Sequence, residues 1–146
     1  MNKQYFFVLI LIVMVITAII LGYLQKQPRH GKVIIGEKEI KVELADTILK
    51  RKNGLSNRDN LKGNTGMLFV FNRSGKYGFW MKDMNFPIDI IWIQNGKIID
   101  VTPNVPPDDQ KAIYFSREEV NFVLEISAGF AEENGVKIGE SVDISL

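Results

Sequence analysis

The chain contains no cysteine and only one histidine among its 146 residues. The absence of cysteine excludes disulfide bonds, thiolate metal sites and attachment through a lipidated cysteine. Because the single histidine, His30, lies in a short polar segment near the N-terminus, a Ser-His-Asp triad and a histidine-rich metal site are excluded as well. We therefore predict no metal and no cofactor.

An excess of positive charge is also missing from most of the chain. Residues 31–146 carry 15 lysines and arginines and 17 aspartates and glutamates, so their formal charge is 15 − 17 = −2. Binding to nucleic acid through a basic face requires clustered lysine and arginine side chains. We therefore predict no nucleic-acid partner.

One long apolar run is present, at the N-terminal end. Eighteen of the twenty residues Tyr5 to Leu24 are apolar and none is charged, a length that matches the hydrocarbon core of a bilayer in helical form. A cleaved secretory signal, the alternative, would have a shorter apolar stretch followed by a small-x-small site, which is missing after Gly22. We predict an uncleaved membrane anchor over residues 1–24, a linker over 25–32 and a globular domain over 33–146.

The charges that flank the run say little about orientation. Lys3 lies before it and Lys26, Arg29 and Lys32 lie after it, so the positive-inside rule gives almost no bias. A four-residue leader with a long globular tail favours a single-pass signal anchor. We therefore expect the domain on the extracytoplasmic side of the membrane.

Short strands dominate the predicted domain. Ile40, Val42 and Leu44 alternate with charged residues, and Asn95-Gly96 is a strong signal for a two-residue hairpin turn. The pattern predicts three hairpins (33–35 with 40–44, 67–71 with 77–81, 88–93 with 97–101), strands over 121–126 and 141–146, a helix over 46–52 capped by Asp46, a helix over 127–134, and an irregular proline-rich segment over 102–109. The expected fold is mostly β (α+β), a compact barrel or sandwich with one or two short helices.

The sequence resembles a family known as domain of unknown function 192. The similarity extends from about Glu39 to Ile144 and is carried by GLSNRDNLKGNTGMLFVF, GFWMKDMNFPIDIIWI and VLEISAGFAEENGVKIGE, including Gly54-Leu55, Arg58, Phe79-Trp80-Met81-Lys82, Asp89 and Leu124-Glu125. The resemblance implies a compact, mostly β fold and brings no established activity. Many members carry a cysteine in the proline-rich loop, where this chain has Pro106-Pro107-Asp108-Asp109. A mechanism that needs a thiol there cannot operate here.

The densest polar and aromatic cluster runs from Phe79 to Asp89. Trp80 offers a stacking surface for a sugar or a planar ligand, and Asp83 is a further polar candidate. Lys82 and Asp89 are expected to face each other across a cleft, where a partly desolvated lysine beside a carboxylate can act as a general base or bind an anion. The alternative is a structural ion pair between Lys82 and Asp89, with Phe79 and Trp80 in the core.

Two further charged residues have open roles. The guanidinium of Arg58 could bind a carboxylate or a phosphate, and alternatively could clamp its loop to Asp46 or Asp89. Glu125 alternates with Leu124 and Ile126, so we place it on the opposite face of the strand. Such a glutamate is more often solvated or paired with a neighbouring strand than part of a site.

Three functions are compatible with these features. The favoured one is a membrane-anchored extracytoplasmic domain that binds an envelope-associated small ligand or protein, because the sequence shows no set of nucleophile, base and orienting residue. The first alternative is an enzyme acting on cell-envelope material through Lys82 and Asp89. The second is a structural scaffold of a membrane assembly, which would expose an apolar patch. The candidate ligand-binding residues are Arg58, Trp80, Lys82, Asp83 and Asp89.

Overall fold

The computed structural model describes residues 3–26, 28–109 and 111–146. Met1, Asn2, Gln110 and Gln27, the last within the predicted linker, lie outside the described residues. The elements follow in the order α1 (Lys3–Lys26), β1 (His30–Ile35), β2 (Lys38–Ala45), α2 (Ile48–Asn53), β3 (Thr65–Gly75), β4 (Phe79–Trp80), β5 (Ile88–Gln94), β6 (Lys97–Val105), β7 (Ile113–Tyr114), β8 (Val120–Ser127), α3 (Phe130–Glu133) and β9 (Val142–Ser145).

The N-terminal helix α1 contains the predicted apolar run. Its stretch Gln4–Gly22 is long and apolar enough to cross a membrane, and none of it is buried against the rest of the described chain. A signal sequence near an N-terminus meets the same test of length and composition. The structure therefore shows one N-terminal apolar helix that fits either a membrane span or a signal sequence.

Seven strands form one sheet in the order β6-β5-β8-β3-β2-β1-β9. All neighbours are antiparallel except β2 and β3, which run parallel and are connected through α2. The sheet curls until its edges meet, because Lys97 of β6 forms an antiparallel bridge with Ser141, and the Val142 N–H donates to the Gly96 carbonyl at 2.8 Å. The prediction of a mostly β, barrel-like domain with short helices is confirmed.

Both faces of the sheet are buried. The interior core draws side chains from all seven strands of the sheet: Val33, Ile35, Ile40, Val42, Leu44, Leu68, Ile91, Ile93, Ile98, Leu124, Ile126 and Val142, together with Phe130 of α3. The outer core covers the opposite face and includes residues of the connecting loops and of the small β4–β7 ribbon: Ala45, Leu55, Met67, Phe69, Phe79, Met81, Met84, Ile88, Ile90, Trp92, Val105, Val120 and Val123. Strand β8 thus turns Leu124 inward and Glu125 outward, beneath the outer core.

Two of the three predicted hairpins are confirmed. Strands β1 and β2 pair antiparallel, and so do β5 and β6 around Asn95 and Gly96, whose φ angles of 50° and 72° suit a type I′ turn. The prediction of a hairpin between 67–71 and 77–81 is wrong. Strand β3 pairs with β2 and β8, while Phe79 and Trp80 pair with β7. Alternation identified the strands, but it carries no information about which distant strand each one joins.

Two local predictions are corrected. Strand β6 runs to Val105 and includes Pro103, although residues 102–109 were expected to be irregular. Proline is tolerated there because β6 lies at the end of the strand order and its register against β5 shifts near that point. The cap of α2 is Thr47, whose hydroxyl accepts the Lys50 N–H at 3.2 Å, and not Asp46, which is occupied by ion pairs instead.

Candidate functional site

Two adjoining pockets lie over the outer face of the sheet. The inner pocket encloses about 120 Å³, and its lining includes Gly54, Phe69, Phe79, Trp80 and Glu125. The outer pocket encloses about 320 Å³, and its lining includes Lys52, Ser56, Trp80, Lys82 and Asp83. The two pockets share four lining residues: Lys52, Asn53, Ser56 and Trp80. They therefore form one depression, in which only the inner pocket is lined by Glu125 of the sheet.

Hydrogen bonds between two loops build the outer pocket. The Ser56 hydroxyl donates to the Lys82 carbonyl at 2.8 Å, and the Asn57 N–H donates to the Asp83 carbonyl at 2.7 Å. The Asn85 side-chain amide donates to the carbonyl of Arg58 at 3.0 Å. These bonds tie the α2–β3 loop to the β4–β5 loop, so the position of Lys82 and Asp83 is set by the fold.

Glu125 lies at the floor of the inner pocket. It belongs to β8, where it stands between Met67 of β3 and Ile90 of β5. The residue is only 5% exposed, and its Oε2 atom is buried without a hydrogen-bond partner in the described part of the chain. An unpaired buried polar group costs a fold roughly 1–3 kcal/mol, so an atom of this kind at the end of an open pocket is a natural contact point for a ligand.

The protonation state of Glu125 follows from its surroundings. Burial raises the pKa of Glu125 to about 8, although the positive charge of Arg58 acts in the opposite direction. Between pH 4.5 and about pH 8, where an ordinary glutamate is ionised, the carboxyl of Glu125 therefore holds its proton. A protonated carboxyl can donate one hydrogen bond and accept others, which suits a neutral polar group on a ligand.

Aromatic rings form the wall above Glu125. Phe79 packs edge-to-face on Phe69 with ring centres 4.8 Å apart and on Trp92 with ring centres 5.4 Å apart. The next residue, Trp80, points the other way and is 44% exposed. The expectation that both Phe79 and Trp80 belong to the core is therefore correct for Phe79 only, and the ring of Trp80 is available for stacking.

Gly54 keeps the inner pocket open. Its backbone has φ 49° and ψ −132°, a conformation that is strained for any residue with a side chain. An added Cβ would come within 3.3 Å of the Phe69 ring and 3.8 Å of Glu125 Oε2. Glycine at this position therefore provides both the turn after α2 and the space over the carboxyl.

Arg58 clamps its loop to β2. Its Nη1 and Nη2 atoms donate to the two carboxylate oxygens of Glu43 at 2.5 and 2.8 Å. The hydrogen bond from Arg58 holds the pKa of Glu43 below its usual range. The structure shows the loop clamp, with Glu43 in place of the predicted Asp46 or Asp89, since Asp46 pairs with Arg29 and Lys50 instead. Arg58 also lines a neighbouring pocket with Glu43 and Gly54.

Asp89 does not face Lys82. Its carboxylate is fully buried and accepts three backbone N–H groups, from Asn104 at 2.8 Å, Gly129 at 3.2 Å and Ala131 at 2.8 Å. The Lys82 residue is exposed, and the ion pairs within the described residues do not join it to Asp89. The predicted contact between Lys82 and Asp89, as a cleft or as an ion pair, is therefore wrong, because backbone amides already satisfy the carboxylate.

The predicted candidates thus separate into three groups. Trp80, Lys82 and Asp83 come together at the outer pocket, Arg58 lies beside it in the clamp, and Asp89 lies elsewhere as a structural carboxylate. Sequence reasoning gave too little weight to Glu125. The available signal was a charged residue inside the apolar stretch 122–126, a pattern typical of a strand buried on both faces.

Comparison with known proteins identifies the family. Residues 31–144 match the family model DUF192, which is described as an uncharacterized ACR. Because this match covers well over half of the chain, the protein belongs to that family, as its motifs predicted. The comparison with curated proteins finds no match.

Two solved structures share the fold. A protein from Sinorhizobium meliloti 1021, whose name carries a provisional assignment as a transcription regulator, is 31% identical with a TM-score of 0.73, covering 81% of this chain and 94% of that one. A protein of unknown function from Novosphingobium aromaticivorans DSM 12444 is 28% identical with a TM-score of 0.71, covering 80% of this chain and 85% of that one. Both support the barrel-like domain, and neither brings an established activity.

Proposed function

We propose that this DUF192 protein is a membrane-anchored, extracytoplasmic domain that binds a small ligand of the cell envelope in the inner pocket. The observation that carries the proposal is the buried Oε2 atom of Glu125, which has no hydrogen-bond partner among the described residues and lies at the floor of an open aromatic pocket. A ligand group bonded to that atom would supply the hydrogen bond that the described part of the chain does not provide. Apolar walls with one or two well-placed polar groups are typical of small-molecule sites.

The shape of the depression limits the ligand. A volume of about 120 Å³ admits one small polar group beside Glu125, while the rest of the ligand occupies the outer pocket of about 320 Å³. The exposed ring of Trp80 lines both pockets and offers a stacking face. A sugar ring or a planar ring that carries one projecting polar group fits this arrangement best. Lys52 and Lys82 outnumber Asp83 in the lining of the outer pocket, which favours ligands that are neutral or negatively charged over positively charged ones.

Attachment to the membrane is proposed from α1. The helix presents a 19-residue candidate span with a mean hydropathy of 3.0 and no burial against the domain. The proposal places the domain on the extracytoplasmic side of the membrane. The proposed ligand is therefore a component of the envelope and not a cytoplasmic metabolite.

Nucleic acid is not among the proposed ligands. Although the name of one structural neighbour refers to transcription, that assignment concerns the neighbour alone. Residues 31–146 of this chain have a formal charge of −2, and phosphate contacts depend on clustered positive charge.

Acid catalysis is a second candidate, favoured by one observation. A glutamate whose pKa is raised to about 8 is suited to act as a general acid near neutral pH. An enzyme acting on envelope material would then use Glu125, since Asp89 is occupied by three backbone amides. Turnover of an envelope glycan by the wild-type chain that disappears in Glu125→Gln would support catalysis, whereas saturable binding without turnover supports the binding domain.

The binding proposal is tested by fluorescence titration of the full chain in detergent micelles. Trp80 is the reporter, because it is half exposed at the pocket while the other tryptophan, Trp92, is fully buried and bonded to Thr102. N-acetylglucosamine and N-acetylmuramic acid serve as a neutral and an anionic probe. We expect saturable quenching of the wild type. In Glu125→Met the affinity measured in this way should be about tenfold lower, the equivalent of one lost hydrogen bond of about 1.4 kcal/mol.

A matched variant separates the pocket from a general effect of charge. Glu132→Met removes an exposed glutamate of α3 and should bind as the wild type does. Trp80→Phe should lose the fluorescence response without unfolding. Equal affinity of wild type and Glu125→Met, or no saturable response to either sugar, would contradict the proposal.

A further inference from the structure

We propose that α2 rests on the lipid surface, with Ile48 and Leu49 inserted among the headgroups and the basic side chains around them facing anionic lipids. The proposal depends on the membrane attachment through α1 proposed above. It concerns a different surface from the pocket floor and adds an interaction partner, the bilayer itself.

Two exposed apolar side chains mark this surface. Ile48 is 81% exposed and Leu49 is 67% exposed, more than any other large apolar residue in the described part of the domain. Single exposed apolar residues are common in soluble proteins and need no partner. Here two of them are adjacent in sequence, at the start of a helix that buries none of its own residues.

The chain holds α2 close to the end of the candidate span. Helix α1 ends at Lys26, and Arg29 is already fixed to the domain, because its carbonyl accepts the Leu44 N–H at 2.8 Å and its guanidinium bonds to Asp46 at 2.7 Å. Three residues of chain reach at most roughly 11 Å. Asp46 lies two residues ahead of Ile48, so α2 is tethered within a short distance of the membrane surface.

Strand register places one end of the barrel far from Arg29, the residue through which the chain from α1 is tethered to the domain. His30 pairs with Glu43 near the end of β2 that leads to α2, whereas Ile35 pairs with Lys38 and with Val142. At about 3.3 Å per residue, β1 separates the two ends by roughly 17 Å. Ile138, which is 56% exposed and precedes β9, lies beyond the Ile35 end.

The charge around α2 complements anionic headgroups. Arg29 and Lys50 share a single carboxylate, Asp46. Lys52 follows in the same helix, so three basic side chains accompany the apolar pair against one acidic one. Arg51 is directed to the domain instead, because its Nη1 donates to the Val70 carbonyl at 3.0 Å and its guanidinium lies over the Phe71 ring. Apolar side chains flanked by lysine and arginine are the pattern of helices that bind in the membrane interface.

Docking through α2 would also place the pockets beside the membrane. Arg51 and Lys52 line the inner pocket, and Lys52 lines the outer pocket as well. A ligand attached to a lipid could then reach Glu125 without leaving the bilayer surface. The proposed ligand class narrows to the headgroup of a membrane-linked envelope component.

The absence of native cysteine permits a direct test with single labels. Ile48→Cys and Leu49→Cys, each carrying an environment-sensitive fluorophore, are compared with Ile138→Cys in the full chain reconstituted into nanodiscs. One set of discs contains phosphatidylcholine alone and another contains added phosphatidylglycerol. We expect a blue-shifted emission and loss of iodide quenching at residues 48 and 49, strongest with phosphatidylglycerol, and full quenching at residue 138.

The outcomes distinguish docking from anchoring. If the protein elutes with the nanodiscs but labels at residues 48 and 49 are quenched as strongly as the label at residue 138, docking is overturned and the anchor stands. If the full chain does not associate with nanodiscs at all, the anchor itself is overturned, and docking with it. Circular dichroism of each labelled variant verifies that the comparison is made on folded protein.

Discussion

Two buried carboxylates on neighbouring strands have opposite environments. Asp89 of β5 is fully buried and accepts three backbone N–H groups, two on one oxygen and one on the other. Glu125 of β8 is also buried, yet its Oε2 atom has no partner among the described residues. The two residues are near neighbours in the sheet, because Asp89 pairs across the strands with Ile126, the residue next to Glu125.

The difference shows that hydrogen bonding, and not burial, distinguishes a structural carboxylate from a candidate site. Three amides replace the water that Asp89 loses on folding, and they join β5 to the β6 strand and to the start of α3. The Oε2 atom of Glu125 has no such replacement within residues 3–26, 28–109 and 111–146, and the carboxyl retains a proton instead, because burial raises its pKa to about 8. The first residue stabilises the fold, and the second is left available to a ligand.

The largest expected effect is at Asp89. Asp89→Ala should lower the free energy of unfolding by about 3–5 kcal/mol, because it removes three hydrogen bonds to a charged group and leaves buried N–H groups unpaired. Urea denaturation of the full chain in micelles measures this loss.

Lys82 provides the control for that measurement. Lys82→Met should change the free energy of unfolding by no more than about 0.5 kcal/mol, because the side chain is exposed. If Lys82→Met lowered the free energy of unfolding as much as Asp89→Ala does, the result would indicate an ion pair between Lys82 and Asp89, which the structure does not contain among its described residues.

The next effect concerns the pH dependence of stability at Glu125. The folded chain keeps a proton on Glu125 up to about pH 8, while the unfolded chain releases it near the ordinary value of 4.5. The contribution of Glu125 to the free energy of unfolding should therefore be fully present below pH 4.5. It should fall as the pH rises from there to about 8, by up to about 1.4 kcal/mol per pH unit. In Glu125→Gln this part of the decline should vanish, which urea denaturation across the pH range will measure.

An exposed glutamate serves as the matched control for this slope. Glu132→Gln should retain the wild-type pH dependence, since Glu132 is exposed on α3. Identical slopes for wild type and Glu125→Gln would show that the pKa of Glu125 is the same in the folded and unfolded chains, and the contrast with Asp89 would then lose its basis.

The smallest effect is expected at Arg58. Arg58→Gln should cost only about 1 kcal/mol, because both partners of its pair with Glu43 are about one-third exposed and therefore screened by solvent. Removing this positive charge should also raise the pKa of Glu125 further, since Arg58 lowers it in the native chain. The carboxyl carbon shift of Glu125 in an NMR titration reports that change.

Arg29 offers the comparison. Arg29→Gln removes another arginine–carboxylate pair, the one between Arg29 and Asp46 near the end of α1. This change should leave the titration of Glu125 unchanged. A shift of equal size in both variants would indicate a general charge effect and not a contact specific to Arg58.

Local signals predicted much of the fold. The apolar run anticipated α1, and Asn95-Gly96 anticipated the β5–β6 hairpin, because each depends on neighbouring residues only. The pairing of β3 with β8 and of Phe79 with Tyr114 could not be predicted, since these contacts join residues tens of positions apart. The same limit explains the site, where Trp80, Lys82 and Asp83 were grouped correctly by their closeness in sequence, while Gly54 and Glu125 reach the same pocket from other elements.

The sequence by itself determined the anchor-like helix, the β-rich class, the family and the aromatic cluster around Trp80, because hydrophobic runs, alternation and turn residues act over a few neighbouring positions. Only the tertiary structure decided that the carboxylate of Asp89 receives hydrogen bonds from the described backbone while Oε2 of Glu125 receives none from it. In the sequence each is an acidic residue within an apolar strand. The amides that bind Asp89 come from positions 15, 40 and 42 residues away, so the folded chain alone determines which carboxyl receives them.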